Sequence, residues 1–147
     1  MADEFHHFTL TEAERTRAKV EPMLIEAMEG RREMVGVEEQ LAAVARRISM
    51  LGGCLVSQSE ISELRTRHSQ IGMKLQRTLE TIESTGCLVK DLDTGLLDFP
   101  AILNDEEVFL CWRLGEDRIR YYHSIHEGFA GRKPLDPRDL GGASPIQ

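Results

Sequence analysis

Between Ile61 and Ile82 the apolar side chains recur at Ile61, Leu64, Ile71, Leu75, Leu79 and Ile82. The steps alternate between three and four, with His68 and Thr78 in the two slots that would complete a heptad series. An upstream segment carries a matching stripe at Met34, Val37, Leu41, Val44, Ile48 and Leu51. Two such stripes joined by Leu51-Gly52-Gly53-Cys54 predict a long, coiled-coil-like antiparallel helical hairpin. That scaffold takes up residues 8–86 and leaves any chemistry to the last third of the chain.

The helix boundaries have chemical signals of their own. Thr9-Leu10-Thr11-Glu12 reads as a capping box, with Phe8 placed to staple against Ala13. Pro22 removes a helical donor and crowds the carbonyl four residues back, so a kink or break is expected near Val20–Glu21. Gly30 and Gly36 each weaken the next stretch by about 1 kcal/mol relative to alanine. Gly52-Gly53 supplies the freedom for a reversal, and Ser57-Gln58-Ser59-Glu60 offers a second capping box. Gly86 is placed to end the second helix. Each arm is then on the order of 30 residues, or ~45 Å.

After Gly86 the pattern changes. Cys87–Lys90, Leu96–Phe99 (stopped by Pro100), Val108–Leu114 and Ile119–Ser124 read as short strands, separated by turns at Asp93-Thr94-Gly95, Asn104-Asp105-Glu106 and Gly115-Glu116-Asp117. The expected fold is α+β: a long antiparallel helical hairpin followed by a small antiparallel β-meander of three or four strands. Residues 1–139 form one domain, with the hairpin at 8–86, the sheet at 87–126 and irregular chain at 127–139. Residues 140–147 are expected to be a disordered tail.

Composition narrows the function classes. A formal net charge of -7 argues against a nucleic-acid or anionic-membrane surface. Arg118, Arg120, Arg132, Lys133 and Arg138 are interleaved with carboxylates and make no uniform basic patch. The N-terminal residues have neither the basic region nor the apolar run of a signal peptide, and no stretch is apolar for long enough to span a bilayer. The three cysteines, Cys54, Cys87 and Cys111, are dispersed and never paired as CxxC. That pattern fits reduced thiols in a cytoplasmic protein.

The last third concentrates polar residues that could carry chemistry. Cys111 and His123, with His126 and a carboxylate such as Asp98 or Glu127, would suit zinc or iron, which accept mixed sulfur, nitrogen and oxygen ligands. If Ile119 and Tyr121 face the core with Leu110 and Trp112, Trp112 sits opposite Tyr121 and Leu110 opposite His123. Cys111 then points away from His123. This register leaves His123, His126 and Glu127 as the metal candidates. It also disfavours Cys111 as a nucleophile with His123 as its base. An anion clamp could draw on the arginine forks of Arg113 and Arg132 together with Lys90. The full set of ligand-binding candidates is Lys90, Asp91, Asp98, Arg113, Glu116 and Arg132. The competing account is that these charges pair with one another and tie short strands to the hairpin. His68, at a heptad position, reads as a register-fixing residue, and His6 and His7 as adventitious metal binders.

A group of motifs carries a family resemblance. Phe8-Thr9-Leu10-Thr11-Glu12-Ala13 opens it, and Lys90-Asp91-Leu92-Asp93-Thr94-Gly95-Leu96-Leu97-Asp98-Phe99-Pro100-Ala101 follows. Leu110-Cys111-Trp112-Arg113-Leu114-Gly115-Glu116, Tyr122-His123 and Gly128-Phe129-Ala130-Gly131-Arg132 complete it. Over about Phe8 to Leu135 the chain resembles an uncharacterised prokaryotic family, domain-of-unknown-function family 2203. The resemblance implies a small bacterial cytosolic protein with a helical hairpin followed by this motif block, and it brings no activity, cofactor or substrate. The leading expectation is a non-enzymatic binding or assembly module, a homodimer through its hairpin, with room for a further protein partner. The alternative is a metal- or small-anion-binding protein or enzyme with its site in the C-terminal motif cluster.

Overall fold

The computed structural model describes residues 6–51 and 58–136. Two helices, α1 (Leu10–Met50) and α2 (Gln58–Glu83), pack against each other and lead into a five-stranded antiparallel sheet. Its strands are β1 (Leu88–Asp91), β2 (Leu96–Leu103), β3 (Glu106–Arg113), β4 (Tyr121–Ser124) and β5 (Lys133–Pro134), and their spatial order follows the chain order β1-β2-β3-β4-β5. The fold is therefore α+β, as the sequence predicts. The expected Gly52-Gly53 reversal, the Ser57 cap and the tail lie outside the described residues.

Helix α1 starts at the predicted capping box: the Glu12 amide donates to Thr9 Oγ1 at 3.1 Å, and the Thr9 amide donates to Glu12 Oε1 at 3.0 Å. The helix runs through Pro22 without the expected break. Pro22 and Ala18, the residue whose carbonyl loses its donor, are both exposed, so water can satisfy that carbonyl. Val20, Leu24, Ala27 and Met28 are buried on either side and hold the helix in register against the core.

The core forms where the base of the hairpin meets one face of the sheet. Leu97, Phe99, Ala101 and Leu103 of β2 and Val108, Leu110 and Trp112 of β3 alternate onto this face. They pack with Phe8, Ala13, Val20, Leu24, Ile82 and Cys87. The Asn104-Asp105 turn between β2 and β3 has φ of 53° and 66°, the left-handed pair that a two-residue hairpin loop requires. Strand β2 continues past Pro100 because β1 covers it only as far as Asp98. At Pro100 it is locally an edge, where a missing N–H costs nothing, and the Pro100 carbonyl accepts the Phe8 amide at 2.7 Å.

Two further expectations change. The segment expected to be irregular after residue 126 holds a 3-10 turn at Phe129–Gly131 and the short strand β5. The β3–β4 register differs from the predicted one by a single residue: Cys111 pairs with Tyr121, Leu110 with Tyr122 and Phe109 with His123. The cause is Ile119. It is buried, but it lies in the loop before β4 and not on the strand. Its amide donates to Glu14 Oε2 at 2.6 Å, so α1 fixes it in the core without strand alternation.

Candidate functional site

A one-residue change of register moves every side chain of a strand to the opposite face. Here it brings together what the predicted register kept apart. With Leu97, Phe99, Leu110 and Trp112 turned to the helices, Asp98, Cys111 and His123 all project from the other face. Asp98 lies directly opposite Cys111, and His123 opposite Phe109, one pleat along from Cys111. All three are buried, at 1% exposure for Asp98, 0% for Cys111 and 3% for His123. One ligand atom from each residue lies within 4.8 Å of the others.

The hydrogen bonds fix much of the proton arrangement. His123 Nδ1 lies 2.8 Å from the Ser124 carbonyl oxygen, and Nε2 lies 3.1 Å from Asp98 Oδ2. A carbonyl can only accept, so Nδ1 carries a hydrogen. Nε2 and Oδ2 then share one proton, either as neutral imidazole with carboxylic acid or as imidazolium with carboxylate. Asp98 Oδ1 has no hydrogen-bond partner among the described residues. Burial raises the Asp98 pKa above the ordinary carboxylate value, and the neighbouring His123 opposes that shift. Burial, and then the Asp98 carboxylate, push the Cys111 thiol up to about 12, against the pull of Arg132.

The other candidates lie around this trio. Arg132 donates to Glu116 Oε1 at 2.8 Å and to the Cys111 carbonyl at 3.3 Å. Its guanidinium stacks over Tyr121 at 4.1 Å and Phe129 at 4.4 Å. Burial would raise the Glu116 pKa, but the bonds from Arg132 and from the Arg113 amide outweigh it and hold the carboxyl below its usual value. Lys90 is exposed, with its ammonium 5.7 Å from the Phe109 ring centroid, and the exposed Arg113 lies over Phe129 at 5.1 Å. These cations ring the outer face but do not converge as a clamp. Asp91 is turn chemistry, since its Oδ1 accepts the Asp93 amide at 2.9 Å.

His126 and Glu127 do not join His123. Strand β4 ends at Ser124, the next turn carries His126 into solvent, and Glu127 folds back to accept the Ser124 amide at 3.2 Å and Lys133 Nζ at 3.3 Å. A metal ion would therefore find its donors in Asp98, Cys111 and His123. The signal that sequence reasoning missed is composition on the outward-facing positions. A cysteine is out of place on a strand face that points to water, and it marks that face as covered.

Cys87, buried on the helix side, has its thiol raised to about 11, chiefly by burial. Both thiols are neutral in the fold and would ionise near 9 once unfolded. Their stabilising contribution is whole below pH ~9 and is lost as pH rises toward the folded values. The urea midpoint is expected to fall between pH 9 and 11, and to fall less in Cys87→Ala/Cys111→Ala. Equal slopes for the two proteins would show that the thiols carry none of the effect.

No curated protein and no solved structure shows significant similarity to the chain. A model of the family described as an uncharacterized conserved protein (DUF2203) matches residues 6–135. That span takes in the capping box, the hairpin, the whole sheet and the buried trio, so the chain belongs to the DUF2203 family.

Proposed function

We propose that the protein is a non-enzymatic assembly module that forms a homodimer through its helical hairpin and presents the outer face of its sheet to ligand or partner. One observation carries this reading: in the 26 residues of α2, Ile82 alone is buried. The stripe residues Ile61, Leu64, Ile71, Leu75 and Leu79 are only half-buried, and beyond Met28 the facing helix buries just Val37 and Val44. A two-helix arm cannot cover its own apolar stripe. A second arm packed against it makes a four-helix bundle, in which such a stripe becomes core.

Polar contacts between the two helices accompany the stripe, one from His68 within it and two from arginines. His68 Nε2 meets Glu38 at 2.9 Å, Arg47 meets Glu60 at 3.2 Å and Arg67 meets Glu33 at 3.4 Å. Exposed pairs of this kind add little stability, but they favour one alignment of the two helices over others. No helix among the described residues is long and apolar enough to cross a membrane. The buried, unpaired Cys87 and Cys111 suit a reducing compartment, which supports a cytoplasmic location.

Sedimentation velocity at tens of micromolar is expected to give a dimer. Leu75→Glu, which places a charge on the stripe well away from the sheet, is expected to give a folded monomer. A wild-type protein that stays monomeric at that concentration overturns the reading.

A further inference from the structure

We propose that Asp98, Cys111 and His123 form a binding site for a divalent transition metal, with zinc the best match to a mixed oxygen, sulfur and nitrogen donor set. This inference does not depend on self-association. It starts from a cost. A carboxyl group and an imidazole buried beyond the reach of water need every polar atom satisfied, yet Asp98 Oδ1 has no hydrogen-bond partner among the described residues. Its polar neighbour across the strands is the weakly donating Cys111 thiol. The outer face of a small sheet is the easiest place in the fold to leave a polar group in water, and here Asp98 and His123 are buried on it instead. An ion would satisfy the orphaned oxygen and give the enclosure a purpose.

The geometry meets the requirements of such a site. Ligand atoms around a tetrahedral zinc lie on the order of 3.5 Å apart, and the three donor atoms already lie within 4.8 Å of one another. A metal-bound histidine characteristically gives its other ring hydrogen to a carbonyl or carboxylate, which fixes the ring and the tautomer. His123 does this through Nδ1 and the Ser124 carbonyl, so Nε2 is the atom that would ligate once the proton it shares with Asp98 Oδ2 is displaced. Adjacent strands supply the donors: β2 gives Asp98, β3 gives Cys111 and β4 gives His123, so the backbone hydrogen bonds of the sheet preset their spacing. His126 and Glu127 are turned away, so the described residues provide three ligands and leave a fourth position for water or another group.

Binding balances in protons. Cys111 enters as thiolate, Asp98 as carboxylate and His123 as neutral imidazole with Nδ1–H retained. The ion therefore displaces two protons to solvent, one from the thiol and one from the Asp98–His123 pair.

The probe is Co²⁺, followed by absorption on the reduced full-length protein carrying His6→Ala and His7→Ala, with Zn²⁺ stoichiometry read by native mass spectrometry. The expected result is one ion per chain and a thiolate-to-cobalt charge-transfer band. That band should persist in Cys54→Ala/Cys87→Ala, where Cys111 is the remaining thiol. Asp98→Asn keeps a donor for His123 and the volume of the side chain, and it is expected to weaken Zn²⁺ by about a hundredfold or more. The proposal is overturned if the wild type shows no charge-transfer band at stoichiometric Co²⁺. It is equally overturned if the band disappears in Cys54→Ala/Cys87→Ala while the fold persists, because the ligating thiol would then be another cysteine.

Discussion

In the metal-free protein, His123→Ala is expected to cost roughly 3–5 kcal/mol, whereas Asp98→Asn is expected to change stability by less than about 1 kcal/mol. The asymmetry follows from what each change leaves behind. Removing the imidazole leaves the Asp98 carboxyl buried with Oδ1 still unpartnered, Oδ2 stripped of its bond to His123, and only the weak Cys111 thiol donor beside it. Converting Asp98 to an amide removes the charge and keeps an N–H to donate to His123 Nε2. Burial already works against ionised Asp98, so the neutral replacement gives up little. Urea unfolding at pH 7 in the presence of a chelator measures both. Equal losses for the two variants would mean that the pair stabilises the fold as an ion pair, and the orphaned oxygen would lose its significance.

Trp112→Ala is expected to be the most damaging single change in the sheet, at about 3–5 kcal/mol. Trp112 is completely buried, its Nε1 donates to the Glu116 carbonyl at 3.1 Å, and the Arg17 guanidinium lies 5.4 Å from its ring centroid. It therefore joins α1, β3 and the loop that carries Ile119. In a chain of this size the loss corresponds to a fall in melting temperature on the order of 10 °C. Trp112 is the sole tryptophan, so the melt must be followed by circular dichroism and not by fluorescence. Trp112→Phe should lose about 1 kcal/mol, the share of the N–H bond. A drop for Trp112→Ala no larger than that for Trp112→Phe would show that the ring's packing does not hold this junction.

The helical half of the fold is legible in the sequence because its signals are local. A capping box at Thr9–Glu12 and a stripe at steps of three and four need no knowledge of the rest of the chain. The effect of Pro22 was not legible, because burial of Val20 and Leu24 on either side decides it, and that burial comes from strands more than 70 residues further along. The site fails for a related reason. Ile119 is apolar and adjoins a strand, so alternation assigns it to the strand. Its true position is set by Glu14, which is 105 residues away. That single residue carried the register, and the register decided whether Cys111 and His123 shared a face. Asp98, Cys111, His123 and Arg132 were all visible as chemistry-bearing residues. Which of them meet depended on a contact that no window of sequence contains.

The strictly sequential strand order has a consequence for how this chain is made. Each hairpin of the sheet can close on itself as soon as it is synthesised, since neighbours in space are neighbours along the chain. Helix α1 has no such local partner for its basal patch. Ala13, Val20, Leu24 and Met28 leave the ribosome well before the strands that bury them. Throughout synthesis that patch faces either solvent or a chaperone. The nascent protein is thus vulnerable to aggregation at this patch of α1, and the vulnerability ends only when β3 and the Ile119 loop arrive.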